Sequence, residues 1–258
     1  QVALDPRSAR AAVDLSWMML YLRHFPEARA EADRGLAISP TDVSLIDARA
    51  QTFAAEGMLD SVRATMRTVP SVVSRATLIV FATTRWSGVA WKLDSADQAL
   101  VKTTFTPATF DNDVGTWGVV RAQLFWLARD TSAARRAADS ARFGFEGTLR
   151  ASPSDAFQHV ALGLALAYAG RTADAVREVD RGMALARAAD DRYQLIPDTL
   201  PQIAQIFHPT AAPARAIPPL HPLPHRPYFP PPSLPPTAPT CHPLAPSPRP
   251  SNTPVPPP

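Results

Sequence analysis

The chain has 258 residues, of which 46% are apolar, and this is enough for a hydrophobic core in one or two domains. Of its 29 prolines, 21 lie in residues 209–258, a segment without Asp or Glu. In residues 1–207 the basic and acidic side chains balance at 23 each, which argues against a nucleic-acid-binding body with a clustered basic face.

Several further classes are excluded by length and cysteine content. The longest apolar run, Val160–Gly170, has about half of the ~20 residues that a membrane helix needs. A single cysteine, Cys241, excludes an internal disulfide and a thiol set for structural zinc. We therefore expect a reducing, cytoplasmic location. The amino end shows no secretory signal, and we expect Gln1 to lie inside a longer chain.

Internal similarity appears near the amino end. Pro6 and Pro40 follow similar residues and stand 34 positions apart. Between them, Ala11–Leu22 and Phe25–Ile38 carry apolar residues at three- and four-residue spacing, which predicts two helices separated by a short polar break.

Three more helix pairs are predicted further along the chain. The second continues the 34-residue frame and turns at Gly57. Another spans Trp117–Ala141 and turns at Arg129-Asp130. The clearest spans Ala156–Leu185 and turns at Gly170-Arg171-Thr172.

These units resemble the tetratricopeptide repeat, a 34-residue antiparallel helix pair. The resemblance rests on Leu162-Gly163, the Tyr168–Arg171 turn, Ala175 and, in the unit Ala9–Asp42, the closing Pro40. It implies an all-α fold: a right-handed superhelical solenoid of antiparallel helix pairs. The expected divisions are repeats over 1–70, an irregular helical insert over 71–107, repeats over 108–208 and a disordered Pro-rich tail over 209–258.

The insert occupies a gap of twice the repeat length. We expect a long apolar helix over Thr77–Leu93, bearing Trp86 and Trp91, and a short partner helix over Ser95–Lys102. The tryptophans fit either a ligand pocket or a plug in the joint between two stacks, and the sequence favours the plug.

A further first helix begins at Leu200–Phe207, but the prolines from Pro209 onward forbid its partner. Two interpretations of the tail stay open. It is a genuine extension, with Arg226–Pro232 as a polyproline-type ligand, or it results from a frameshift near residue 208. The acid-free composition favours the frameshift.

The sequence offers no catalytic motif, and we expect no enzyme activity, no cofactor and no metal site. Phosphate loops, metalloprotease helices and nucleophile elbows are all missing. His221, His225, Cys241 and His242 are metal-ligand types without a rigid frame. The acidic pairs Asp111/Asp113 and Asp190/Asp191 are typical of solvated helix caps.

In the tetratricopeptide family, the first helix of each pair lines a concave groove that binds peptides or helices. Carried onto this chain, that pattern gives a partner-binding groove of mainly aromatic and apolar side chains: Trp17, Tyr21, Gln51, Gln123, Trp126, Phe157, Leu164 and Tyr168. It lacks the Lys and Asn residues with which some family members clamp a terminal carboxylate. Trp17, Trp126 and Tyr168 fit equally well as fillers between adjacent pairs.

We therefore predict a non-catalytic scaffold that binds a protein or peptide, and neither nucleic acid nor a membrane. The alternative is a regulatory or sensor region of a larger bacterial signalling protein, with a serine/threonine kinase or transcriptional regulator domain upstream. The Ala- and Arg-rich style of Leu162–Arg171 is similar to repeat regions of GC-rich bacteria. The sequence does not indicate an oligomeric state.

Overall fold

The computed structural model describes residues 7–84 and 90–188, and all regular elements within them are helical. This confirms the predicted all-α class. The α-helices are α1 (Ala9–Tyr21), α2 (Phe25–Ile38), α3 (Val43–Ala55), α4 (Leu59–Arg67), α5 (Arg75–Thr84), α6 (Ser95–Thr103), α7 (Val114–Leu127), α8 (Thr131–Ala151), α9 (Ala156–Tyr168) and α10 (Thr172–Ala188).

The same tight turn joins the two helices of four pairs. Its middle residue is left-handed: Arg23 (φ 64°), Gly57 (φ 75°), Arg129 (φ 64°) and Gly170 (φ 82°). The amide of the next residue donates to a carbonyl five positions back, as from Met58 to Phe53 and from Arg171 to Leu166, both at 2.9 Å. The turn reverses the chain, so these positions mark equivalent units, the first two 34 residues apart.

A second local feature, which our sequence analysis missed, connects one pair to the next. Ser-Pro-x-Asp occurs at 39–42 before α3 and at 152–155 before α9. The aspartates are N-caps: Asp42 accepts from the Ser44 amide at 2.9 Å and Asp155 from the Gln158 amide at 3.0 Å. An N-cap carboxylate satisfies an otherwise unpaired amide, so these loops set where α3 and α9 begin.

Packing follows chain order. The first helix α1 contacts its partner α2 and also α3, and α2 contacts α3. The same arrangement recurs at the other end, where α7 contacts α8 and α9, and α8 contacts α9. In both places a first helix therefore meets its own partner and the next first helix, and the second helix between them also meets that next first helix.

Small residues let paired helices approach closely. A Cβ added to Gly118 in α7 would lie 2.6 Å from the Ala141 backbone nitrogen and 2.8 Å from the Ala137 carbonyl oxygen in α8. Both alanines are buried. Because backbone atoms lie so near, only glycine fits at position 118.

The insert differs from its sequence prediction. Helix α5 ends at Thr84, and Ala90–Lys92 is a 3-10 turn, so Thr77–Leu93 is not one continuous helix. Helix α6 lies close to its predicted position, and its N-cap is Asp94. Arg75 at the start of α5 forms an ion pair with the buried Asp97 of α6 and also donates to the Met66 carbonyl. These polar contacts link α4, α5 and α6 in addition to their apolar packing.

The insert contributes to a hydrophobic core shared with α3, α4 and α7, which includes Ile46, Val62, Ile79, Val101 and Leu124. It therefore packs in the joint between the two flanking sets of helix pairs. Trp86 lies outside the described residues, and the side chain of Trp91 is not described. The helix start at 200–207, Asp190/Asp191 and the tail from 209 also lie outside them.

Substitutions at the left-handed turn residues test whether the helix pairs share the same turn geometry. Arg129→Gly should stabilise the fold by about 0.5–1 kcal/mol, because glycine adopts positive φ without a Cβ penalty. Gly57→Ala should destabilise by about 1 kcal/mol, although no heavy atom lies within 4 Å of the added Cβ. Urea unfolding followed by circular dichroism measures both changes. A stabilising Gly57→Ala would contradict the turn geometry.

The contact between α7 and α8 gives a second, matched pair of glycine substitutions. Gly118→Ala should destabilise by about 1–3 kcal/mol because its Cβ meets backbone atoms that cannot move independently. Gly147→Ala in α8 should be stabilising by up to about 1 kcal/mol, since its nearest neighbour is the flexible end of Arg150 at 3.5 Å. Equal effects of the two changes in denaturant unfolding would argue against the close helix contact.

Candidate protein-binding surface

Aromatic side chains lie together on α1. The ring centroids of Trp17 and Tyr21, one helical turn apart, are 5.9 Å apart with an interplanar angle of 39°. Both residues are half-buried. The buried indole N–H of Trp17 finds no acceptor in the described parts of the chain. This pair is therefore a partly accessible aromatic patch near the amino end of the described residues.

A second aromatic pair bridges two units. Trp126 of α7 and Tyr168 of α9 meet edge to face, with ring centroids 6.1 Å apart. Trp126 is half-buried, whereas Tyr168 is 9% exposed, and burial raises the pKa of its hydroxyl above the ordinary value. The buried Tyr168 ring therefore packs α9 against α7. Part of the Trp126 side chain stays accessible.

The predicted groove residue of α3 takes part in an internal polar cluster. The Nζ of Lys92 donates to Gln51 Oε1 at 2.6 Å, and Gln51 Nε2 donates to Asp47 Oδ1 at 3.2 Å. All three residues are buried. Burial lowers the pKa of Lys92 to about 8, and the opposing attraction of Asp47 limits that shift. Gln51 thus holds the 90–92 turn against α3.

The remaining predicted groove residues divide by burial. Gln123 and Leu164 are 5% and 4% exposed, and Leu164 belongs to the core around α7–α10. Phe157 is half-buried. First helices contact one another, so part of each supposed groove face fills the joint between neighbouring pairs. The accessible part of the predicted set is Trp17, Tyr21, Trp126 and Phe157, which we call the first-helix surface.

The acidic and metal-ligand candidates of the sequence show no functional grouping among the described residues. Asp113 caps α7 by accepting from the Thr116 amide at 2.9 Å, and Asp111 is an exposed left-handed turn residue. Within the described ranges, no three His, Cys, Asp or Glu side chains are grouped as metal ligands would be. The four His and Cys residues of the tail lie outside those ranges.

Comparisons with protein-family models and with curated protein sequences find no match to this chain. Among the described helices, none is both long enough and apolar enough to cross a membrane.

Because Lys92 is buried, we expect the free energy of unfolding to change with pH in the alkaline range. The pKa of Lys92 is lower in the folded chain than in the unfolded chain, so the unfolded state keeps its proton more tightly. Stability should therefore rise between about pH 8 and pH 9.5, by about 2 kcal/mol. Lys92→Gln should remove this slope in urea unfolding, and Lys102→Gln should leave it unchanged.

The same shift is directly observable by NMR, because Lys92 and Lys102 are the only lysines in the sequence. With ¹³C-labelled lysine, one Cε resonance should titrate near pH 8. Titration of both resonances near the ordinary lysine pKa would show that Lys92 is solvated.

Proposed function

We propose that this protein is a non-catalytic scaffold of the tetratricopeptide type, which binds another protein or peptide on its first helices. The observation that carries the proposal is the recurrence of one structural unit: a helix, a three-residue turn with a left-handed centre and a returning helix. Such units stack through nearest-neighbour contacts and act through the surface that the stack presents.

The contact pattern supports a superhelical arrangement of these units. At both ends of the described chain a first helix contacts the next first helix, and the intervening second helix also contacts it. When each pair packs on the next in this same way, the pairs form a curved stack. We propose that this stack is the right-handed solenoid of the tetratricopeptide family. The first helices then line its concave side.

The first-helix surface suits a protein partner. Trp17, Tyr21, Trp126 and Phe157 are large, rigid side chains that remain half-buried after packing. Aromatic residues dominate the energetics of many protein interfaces because they bury much apolar area at small entropic cost. We infer that the partner presents apolar side chains, from an extended segment or from one face of a helix.

A peptide-display selection on the full chain tests this surface. Peptides selected on the wild type should bind at least tenfold more weakly to Trp17→Ser/Tyr21→Ser and to Trp126→Ser, because the substitutions remove the aromatic contact area. Phe143→Ser is the matched control, since Phe143 is 65% exposed on the second helix α8. Circular dichroism establishes that each variant keeps its helical signal.

Photo-crosslinking provides a readout that does not depend on removing a side chain. A benzoyl-phenylalanine at position 157 should crosslink to a selected peptide, and the same group at position 143 should not. Crosslinking at 143 alone, or equal loss of binding in Phe143→Ser, would contradict the proposed surface.

A further inference from the structure

A second feature, separate from the first-helix surface, is an open cleft of about 410 Å³ where α8, α9 and α10 meet. This is within the size range of ligand-binding pockets. The cleft is lined by Glu146, Leu149, Arg150, Pro153, His159, Leu162, Glu178 and Arg181. His159 and Leu162 project from the face of α9 opposite to Phe157 and Tyr168, given 100° of rotation per residue.

The two acids of the cleft already have basic partners. Both carboxylate oxygens of Glu146 accept from Arg142 Nη1 at 2.9 Å. Glu178 Oε2 lies 2.6 Å from His159 Nδ1. Both carboxylates therefore already have hydrogen-bond partners within the fold, and Arg142 also lies near Asp139, 3.6 Å from its Nε.

His159 is fixed by two acceptors. Besides Glu178, its ring faces the Pro153 carbonyl oxygen, 2.9 Å from Nε2. The buried ring therefore joins the α8–α9 loop to α10.

The two arginines of the cleft are differently placed. Arg150 and Arg181 are exposed, and neither forms an ion pair in the part of the chain that the structure describes. Glu146 and Glu178 are already hydrogen-bonded within the fold, so Arg150 and Arg181 are the charged groups of the lining that have no ion-pair partner among the described residues. Guanidinium groups bind carboxylates by charge-assisted, often paired hydrogen bonds.

The rest of the lining is apolar. Leu149 and Leu162 are partly or fully buried beneath the opening, and Pro153 forms one side. A bare inorganic anion would gain nothing from these side chains. A ligand with a carboxylate next to an apolar group would contact both the guanidinium groups and the leucine side chains of the cleft.

We propose that this cleft binds an acidic peptide segment of a partner protein. A Glu or Asp carboxylate of the segment bonds Arg150 and Arg181, and a neighbouring apolar side chain lies on Leu149 and Leu162. The protein thus has two recognition surfaces, an aromatic one on first helices and an anion-selective one between the second helices α8 and α10.

The test is an NMR titration of the full chain with the peptide acetyl-Gly-Leu-Glu-Gly-amide, followed through the methyl resonances of Leu149 and Leu162. We expect saturable shifts at both leucines. Arg150→Gln/Arg181→Gln should weaken binding about tenfold, as expected for two exposed ion pairs. The matched control Arg135→Gln/Arg136→Gln removes the same charge from exposed positions at the other end of α8 and should change little.

Three further probes separate the parts of the proposal. Acetyl-Gly-Leu-Gln-Gly-amide lacks the charge, acetyl-Gly-Gly-Glu-Gly-amide lacks the apolar side chain, and inorganic phosphate lacks both peptide and apolar groups. Weaker binding of all three supports the assignment. No saturable shift with the first peptide, equal binding of any of these probes, or equal weakening by the control variant would overturn it. None of these outcomes depends on the first-helix surface.

Discussion

The close contact of α7 with α8 is the constraint on which the second half of the fold depends. At Gly118 the helix backbones are too near for any Cβ, and the buried Ala137 and Ala141 complete the contact. Gly182 gives α10 a similar approach to α9, where an added Cβ would lie 2.7 Å from the Ala156 carbonyl oxygen. Between α7 and α8, the larger Phe145 side chain is accommodated only because it faces another glycine, Gly115.

Turns and N-caps determine the order and direction in which the helices pack. A left-handed residue reverses the chain after each first helix, and Ser-Pro-Thr-Asp or Ser-Pro-Ser-Asp starts the next unit before α3 and α9. These signals are local, so the geometry of one unit does not depend on distant parts of the chain. As a result, residues on successive first helices can form one surface although the units share little sequence.

Helix positions could be predicted where apolar periodicity is interrupted by a polar break, as between α1 and α2, or by a turn glycine, as between α9 and α10. Within the insert, α6 was predicted but the end of α5 at Thr84 was not. Contacts such as Arg75 with Asp97 and Lys92 with Gln51 link residues 22 and 41 positions apart, and they leave no periodic signal in the sequence. The family resemblance placed Gln51 and Leu164 in the groove. It does not indicate which first-helix side chains are buried by neighbouring parts of the chain. The cleft at Arg150 and Arg181 gave no sequence signal, since its charged groups come from three helices.

We propose that the partner binds on the first helices. Hydrogen-exchange mass spectrometry of the full chain, with and without a display-selected peptide, tests this without any substitution because it locates the residues that binding protects. We expect slower exchange in α1, α7 and α9, with α2 and α4 unchanged. Slower exchange confined to second helices, or none in any first helix, would contradict it.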